Sequence, residues 1–270
     1  MKNLTSKAIV LLRKFFTCIV RSSGNRQETV PYCSCCNARI PFRRGFFFWN
    51  RTVFDVRRYR DAPQKVICPA CGSLPRHRII ASWCELNKGL LKKSRILIFA
   101  PEKCIVFYMH ENDIPFITAD LFRRADLRLD IQDTGLPEGS FDIIFCNHVL
   151  EHVNDLDSAL NELYRIVSSG GMLICSFPID LSLEKTQEGM GVLTRKEHIE
   201  RFGQHDHNRL FGKDSRQLLS RAGFDVGTID LDLLPADILP VTGPADYDSN
   251  TIFLCRKMPE QTGCSCKVQE

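Results

Sequence analysis

The sequence predicts an α/β domain, a mostly parallel sheet with helices on both faces, preceded by a small Cys-rich module. Two observations support this. From Arg95 onward, strand-like and helix-like patterns alternate along the chain. Before that point, a Cys-x-x-Cys pair occurs twice, at Cys33 and Cys36 and at Cys68 and Cys71. A chain of 270 residues has room for one domain of roughly 150–200 residues and a small accessory module. With 44% hydrophobic and 25% charged residues, disordered and fibrous classes are excluded.

Charge is divided unevenly. Residues 1–95 hold 20 Lys and Arg against 4 Asp and Glu, whereas residues 96–270 hold 16 against 28. The N-terminal third is therefore the part suited to an anionic partner. Residues 1–22 read as a basic amphipathic helix. Lys7, Arg13, Lys14 and Arg21 gather to one side, and Ile9, Leu12, Phe16 and Val20 lie elsewhere. Arg13 and Lys14 interrupt the apolar run, so it is neither a secretory signal nor a membrane span. An interfacial helix on an anionic membrane surface and a helix packed on its own protein both fit the pattern. A cytoplasmic setting follows, peripheral at the inner membrane surface if the helix meets lipid. There, scattered Cys are buried thiols and clustered Cys bind metal.

Residues 31–78 form the expected zinc-ribbon module. Two residues between paired Cys let both sulfurs reach one ion, and two such pairs complete a tetrahedron. Cys33, Cys36, Cys68 and Cys71 are the expected ligands of a structural Zn2+, with Cys35 a thiol able to replace Cys36. Between the pairs lies an insert with Phe46, Phe47, Phe48 and Trp49 and with Arg51, Arg57, Arg58 and Arg60. The second domain is expected over residues 79–256, and residues 257–270 as a disordered tail.

Helical spacing predicts a helix over 76–92, with Ile79, Ile80, Trp83, Leu86 and Leu90 on its apolar face. Strands are expected at 96–99, 115–119, 141–146, 172–177, 224–231 and 251–255. Helices are expected at 155–168, stopped by Gly170 and Gly171, and at 215–222. A parallel sheet binds its ligand beyond the carboxyl ends of its strands. Asp120 ends the second strand, where a carboxylate can take the hydroxyls of a ribose. Asp130 and Ile131 offer an edge and a face to an adenine, and Asn147 and His148 reach the rim after the third strand.

The run Phe141-Asp142-Ile143-Ile144-Phe145-Cys146-Asn147-His148-Val149-Leu150-Glu151-His152-Val153 resembles the central signature of class I (Rossmann-like) S-adenosylmethionine-dependent methyltransferases. So do Ala159 to Ile166, Gly170-Gly171 and Ala222-Gly223-Phe224. The resemblance covers about residues 95–256. Cys68-Pro69-Ala70-Cys71-Gly72-Ser73-Leu74-Pro75-Arg76-His77-Arg78 and Phe202-Gly203-Gln204-His205-Asp206-His207 are similar to a type 11-like subgroup with an N-terminal zinc knuckle. The resemblance implies S-adenosyl-L-methionine as cofactor. It also marks a departure. The family's Gly-rich first loop is replaced by Ala100-Pro101-Glu102, where Ala100 would permit close backbone approach and Glu102 would receive the cofactor's ammonium.

Methyl transfer from a sulfonium relies on alignment, and needs a base only where the acceptor must lose a proton. His148 is one candidate base. The segment 204–209 falls where the family builds acceptor lids. Asp206 and His207 are the expected orienter and proton acceptor there, with His207 facing His148, and Arg209 would hold an anionic acceptor. His205 and His207 suggest a metal pair without further ligands. The leading expectation is methylation of a small-molecule or envelope saccharide or lipid-linked acceptor. A nucleic-acid methyltransferase gripping RNA phosphate through the basic module is the alternative, and a non-catalytic scaffold is the third reading.

Overall fold

The computed structural model describes residues 30–44, 65–189, 193–234, 247–248 and 250–259. The expected helix at 1–22, the aromatic and basic insert from Phe46 to Arg60, and residues 260–270 lie outside the described residues.

The Cys module begins with β1 (Tyr32–Cys33) and β2 (Ala38–Arg39), paired antiparallel, followed by β3 (Arg43–Arg44) and β4 (Lys65–Ile67), also antiparallel. Helices α1 (Pro75–Leu86) and α2 (Lys88–Leu91) follow. The helix expected over 76–92 is thus broken at Asn87, whose amide donates to the Trp83 carbonyl at 2.8 Å. Leu86 and Leu90, expected on the apolar face, are exposed.

The second part runs β5 (Ile96–Phe99), α3 (Lys103–Glu111), β6 (Ile117–Ala119), β7 (Phe141–Asn147), α4 (Leu156–Ile166) and β8 (Val167–Ser176). After short strands β9 (Ile179–Asp180) and β10 (Gln187–Glu188) come α5 (Arg195–Phe202), β11 (Arg209–Leu210), α6 (Ser215–Arg221) and β12 (Asp225–Thr228). β13 (Tyr247–Asp248) and β14 (Phe253–Arg256) complete the described elements. The central sheet has the order β12-β14-β8-β7-β5-β6. β6, β5, β7 and β8 are parallel, and β14 is antiparallel to both β8 and β12.

Alternation along the strands distributes side chains to two faces. Ile96, Ile98, Ile143, Phe145 and Ile174 join one apolar cluster, and Leu97, Phe99, Ile144, Cys146, Leu173 and Cys175 join the other. The first cluster continues through α3 and α1 to Cys33, Cys36, Phe42 and Cys68, so the Cys module shares its core with one face of the sheet. The second holds the apolar stripe of α4, at Leu156, Ala159, Leu160 and Leu163. The Asp155 carboxylate caps α4 by accepting from the Ser158 N–H at 2.9 Å.

Two boundaries differ from the sequence reading. Helix α4 ends at Ile166, and its carboxyl end is closed by Lys257, whose Nζ donates to the carbonyls of Tyr164 and Val167 at 3.0 and 3.1 Å. Gly170 and Gly171 therefore do not stop the helix. They lie in a bulge of β8 that exchanges hydrogen bonds with the Lys257 backbone at 2.9 and 3.0 Å. Lys257 itself is buried, so the expected tail does not begin there.

A Cβ added at Gly171 would stand 2.7 Å from the Asp142 carbonyl oxygen and 2.9 Å from that of Ser168. Gly171→Ala should lower unfolding stability by about 1–3 kcal/mol in urea titrations. Gly89→Ala in α2, with nothing within 4 Å, should be neutral or mildly stabilising. Equal effects of the two would show that this bulge tolerates displacement.

Candidate functional site

Strand register sets the rim. Phe99 pairs with Ala119 on one side and Cys146 on the other, so the next residues, Ala100, Asp120 and Asn147, emerge side by side. The chain passes from β5 to β6 on one flank and returns to β7 on the other. This reversal is the switch point at which an open parallel sheet leaves a crevice.

Ala100 adopts φ 45°, and its N–H donates to the Ala119 carbonyl at 2.8 Å. The loop thus makes the left-handed turn that glycine usually supplies, using the smallest residue with a Cβ, at a cost of about 1–2 kcal/mol. Asp120 is buried, and its Oδ1 accepts from the Phe122 and Arg123 N–H groups at 2.8 and 2.7 Å. That folds the loop after β6 back and leaves Oδ2 for a ligand hydroxyl. Phe122, which the sequence reading passed over, is 90% exposed beside it.

Other expected rim residues are engaged by their neighbours. The Asp130 carboxylate is engaged by the Gln132 backbone and side chain, and Ile131 is packed in the second apolar cluster. Asn147 is buried, with its side-chain oxygen accepting from the Ser176 hydroxyl at 2.9 Å. Among these residues, Glu102 keeps a carboxylate oxygen without a hydrogen-bond partner.

Glu102 joins the two parts of the protein. Its Oε1 receives the Arg76 Nη2 at 2.9 Å and lies 2.5 Å from the His77 Nε2. The Leu74 N–H donates to His77 Nδ1 at 3.0 Å, so Nε2 carries the proton and is the donor to Glu102. Oε2 is buried and has no hydrogen-bond partner, the kind of acceptor that an ammonium would satisfy. Burial opposes ionisation of Glu102, but His77 and Arg76 outweigh it and hold the carboxyl at about 2.

Thiols converge in the Cys module. Cys33 Sγ lies 3.6 Å from Cys71 Sγ, and Cys36 Sγ 3.8 Å from Cys68 Sγ, with all four sulfurs within 4.8 Å. A tetrahedron with sulfur–zinc bonds of about 2.3 Å has edges of about 3.8 Å. Each knuckle ends on a left-handed residue, Asn37 at φ 55° and Gly72 at φ 76°. Cys35 does not replace Cys36. It lies outside the converging four, and burial pushes its thiol above the ordinary value. Arg78, fully buried, places its guanidinium 4.3 Å over the Phe42 ring and donates to the Ser73 carbonyl, bringing a cation to the thiol cluster.

The turn after β7 gathers titratable groups. His148 adopts φ 53°, and its Nδ1 stands 3.1 Å from Glu151 Oε1 while its Nε2 has no partner. Burial lowers the imidazole below its ordinary value. Glu151 is 1% exposed. His207 is buried as well, and packs edge-on to His152 with ring centroids 4.8 Å apart.

Segment 204–209 differs from the expected open lid. Asn208 bonds the Glu151 and His152 carbonyls at 2.8 and 2.7 Å, and Arg209 donates to the carbonyls of Leu150, Val153 and Asn154. Arg209 is buried and pairs with Glu188, so its guanidinium serves mainly the turn. His207 is buried beside the Glu151 carboxylate, which His148 Nδ1 also approaches. Asp206, half exposed, sides with His152 Nδ1 at 3.6 Å. A cleft of about 300 Å³ does open here, lined by Asn154, Glu188, Leu193, His198 and Asn208.

Sheet order and rim define a Rossmann-like open α/β fold. Residues 109–175 match the family model described as a methyltransferase domain. Over 73 residues the chain is 32% identical to a malonyl-[acyl-carrier protein] O-methyltransferase of Yersinia pestis, covering 27% of each protein. It is 38% identical over 69 residues to a polyketide synthase-nonribosomal peptide synthetase of Pyricularia oryzae, covering 26% of this chain and 2% of that protein. Both matches therefore span well under a third of the relative. A solved S-adenosylmethionine-dependent methyltransferase of Thermotoga maritima, described as a possible histamine N-methyltransferase, superposes with a TM-score of 0.42. It is 20% identical, over 67% of this chain and 91% of that one.

Because folding depresses the Glu102 pKa from 4.5 to about 2, its stabilising contribution is complete above about pH 4.5 and lost as pH falls toward 2. The stability advantage of the native chain over Glu102→Gln should shrink across that window in denaturant titrations. An advantage that stays constant down to pH 2 would contradict the ion-pair assignment.

Proposed function

We propose that this chain is an S-adenosylmethionine-dependent methyltransferase acting on a small-molecule or envelope saccharide or lipid-linked acceptor. The observation that carries this reading is the register that aligns Ala100, Asp120 and Asn147 at the switch point of the sheet. The adjoining methyltransferase-type stretch at 109–175 supports it. The cofactor, when bound, supplies an electrophilic methyl group. Asp120 Oδ2 would accept a ribose hydroxyl, Glu102 Oε2 the ammonium, and the backbone at Ala100 and Pro101 would approach the methionine moiety. Asp130 and Ile131 would border the adenine, and Phe122 offers it a face. His148 is the base, with Nδ1 toward Glu151 and Nε2 free to take a proton from the acceptor. The matched stretch of a relative named for carrier-linked malonyl favours small or carrier-linked acceptors.

In the same reading, Cys33, Cys36, Cys68 and Cys71 hold one structural Zn2+, a set that leaves no open position. The basic N-terminal third would lie against an anionic membrane surface on the cytoplasmic side, or would grip RNA in a nucleic-acid enzyme. Cys68→Ser should remove one equivalent of zinc from purified protein and lower its melting temperature. Full zinc content in that variant would exclude the cluster as the site.

Transfer of labelled methyl from S-adenosylmethionine separates the readings, with small-molecule, lipid and RNA fractions as acceptors. Label should enter the small-molecule or lipid fraction. Asp120→Ala should raise the cofactor KM by about tenfold or more. His148→Ala should lower kcat by about 100-fold with the cofactor KM nearly unchanged. Label confined to RNA would favour the nucleic-acid enzyme, and no transfer to any fraction would favour a scaffold.

A further inference from the structure

We infer that Glu151, His152 and His207 form a second metal site, separate from the Cys cluster, which takes a zinc-class divalent cation. Their ligating atoms lie within 4.8 Å of one another. Two imidazoles and a carboxylate are a donor set that zinc accepts at about 2.0–2.2 Å, with a fourth position left for water or a ligand oxygen.

Three features show that the site is built and that the cluster is more than three residues falling close together. Glu151 is 1% exposed, yet neither of its carboxylate oxygens has an aligned hydrogen-bond donor. His148 Nδ1 approaches Oε1 at 3.1 Å outside hydrogen-bonding alignment, and the buried Arg209 is directed to the neighbouring carbonyls instead. A buried carboxylate without hydrogen bonds is costly, and a cation resolves that cost.

The His152 imidazole, moreover, is set as a metal ligand is set. His152 Nδ1 lies 2.9 Å from the Asp206 carbonyl oxygen, which can only accept, so Nδ1 carries the proton and Nε2 is left bare. A second hydrogen bond of this kind fixes the tautomer and aims the other nitrogen at an ion. The scaffold is also rigid. Asn208 ties the Glu151 and His152 backbones to the segment carrying His207. The His152 side chain is 35% exposed, which gives an ion a path from solvent.

The site does not depend on methyl transfer, and its test can be read without it. Native protein with zinc already in the Cys cluster is titrated with Co2+ and followed by visible absorption. One further equivalent should bind saturably, with the bands of nitrogen and oxygen ligation and no thiolate charge transfer. Glu151→Gln and His207→Ala should each weaken that binding by at least tenfold, while elemental analysis still finds the Cys-bound zinc. That retained zinc shows that a variant is folded. Absence of a second species in the native chain at saturating Co2+ would overturn the inference, as would undiminished binding in both variants.

Discussion

The Glu102 carboxylate, held by Arg76 and His77, is the contact on which the arrangement of the rim depends. The two donors belong to α1, which follows directly from the second Cys pair. The acceptor belongs to the loop between β5 and α3. A loop without glycine has fewer ways to turn at a sheet edge, and Ala100 carries the strained conformation instead. An ion pair in a mostly buried setting, continuous with the shared apolar cluster, holds that strain in place. Removing one partner of such a pair typically costs about 3–5 kcal/mol, because the other is left buried and uncompensated. The helix that follows the Cys module thereby braces the loop between β5 and α3.

A second constraint operates on the far side of β7. Residues 207–209 fold over the turn that follows the strand and take up its carbonyls with Asn208 and Arg209. Polar side chains that read as chemical groups in the sequence thus act mainly on the backbone. The turn they fix carries His148 at one end and the Glu151 carboxylate behind it. Positioning of His148 and closure of the chain over its turn come from the same hydrogen bonds.

The strands at 96–99 and 141–147 were legible because their side chains are apolar on both faces, as a buried parallel strand requires. The rim positions of Asp120 and His148 were legible because each directly follows an apolar strand run. Helix α5 was missed although its capping box, Thr194 with Glu197, was visible in the sequence. The role of Arg209 was hidden because its partners are carbonyls of Leu150 and Val153, far away in sequence and without a signature there. Glu151 looked like part of a motif. Only its burial and its two unpartnered oxygens, which depend on the tertiary fold, set it apart. The helix stop at Gly170 and Gly171 was misread because Lys257 caps α4 from 90 residues further along the chain.

Calorimetric titration of the native, zinc-replete chain with S-adenosylmethionine bears most directly on whether this glycine-free rim is a working cofactor site. The account predicts one saturable site per chain, with S-adenosylhomocysteine competing for it. Absence of saturable binding in folded protein would contradict it, and would leave a methyltransferase fold serving as a scaffold.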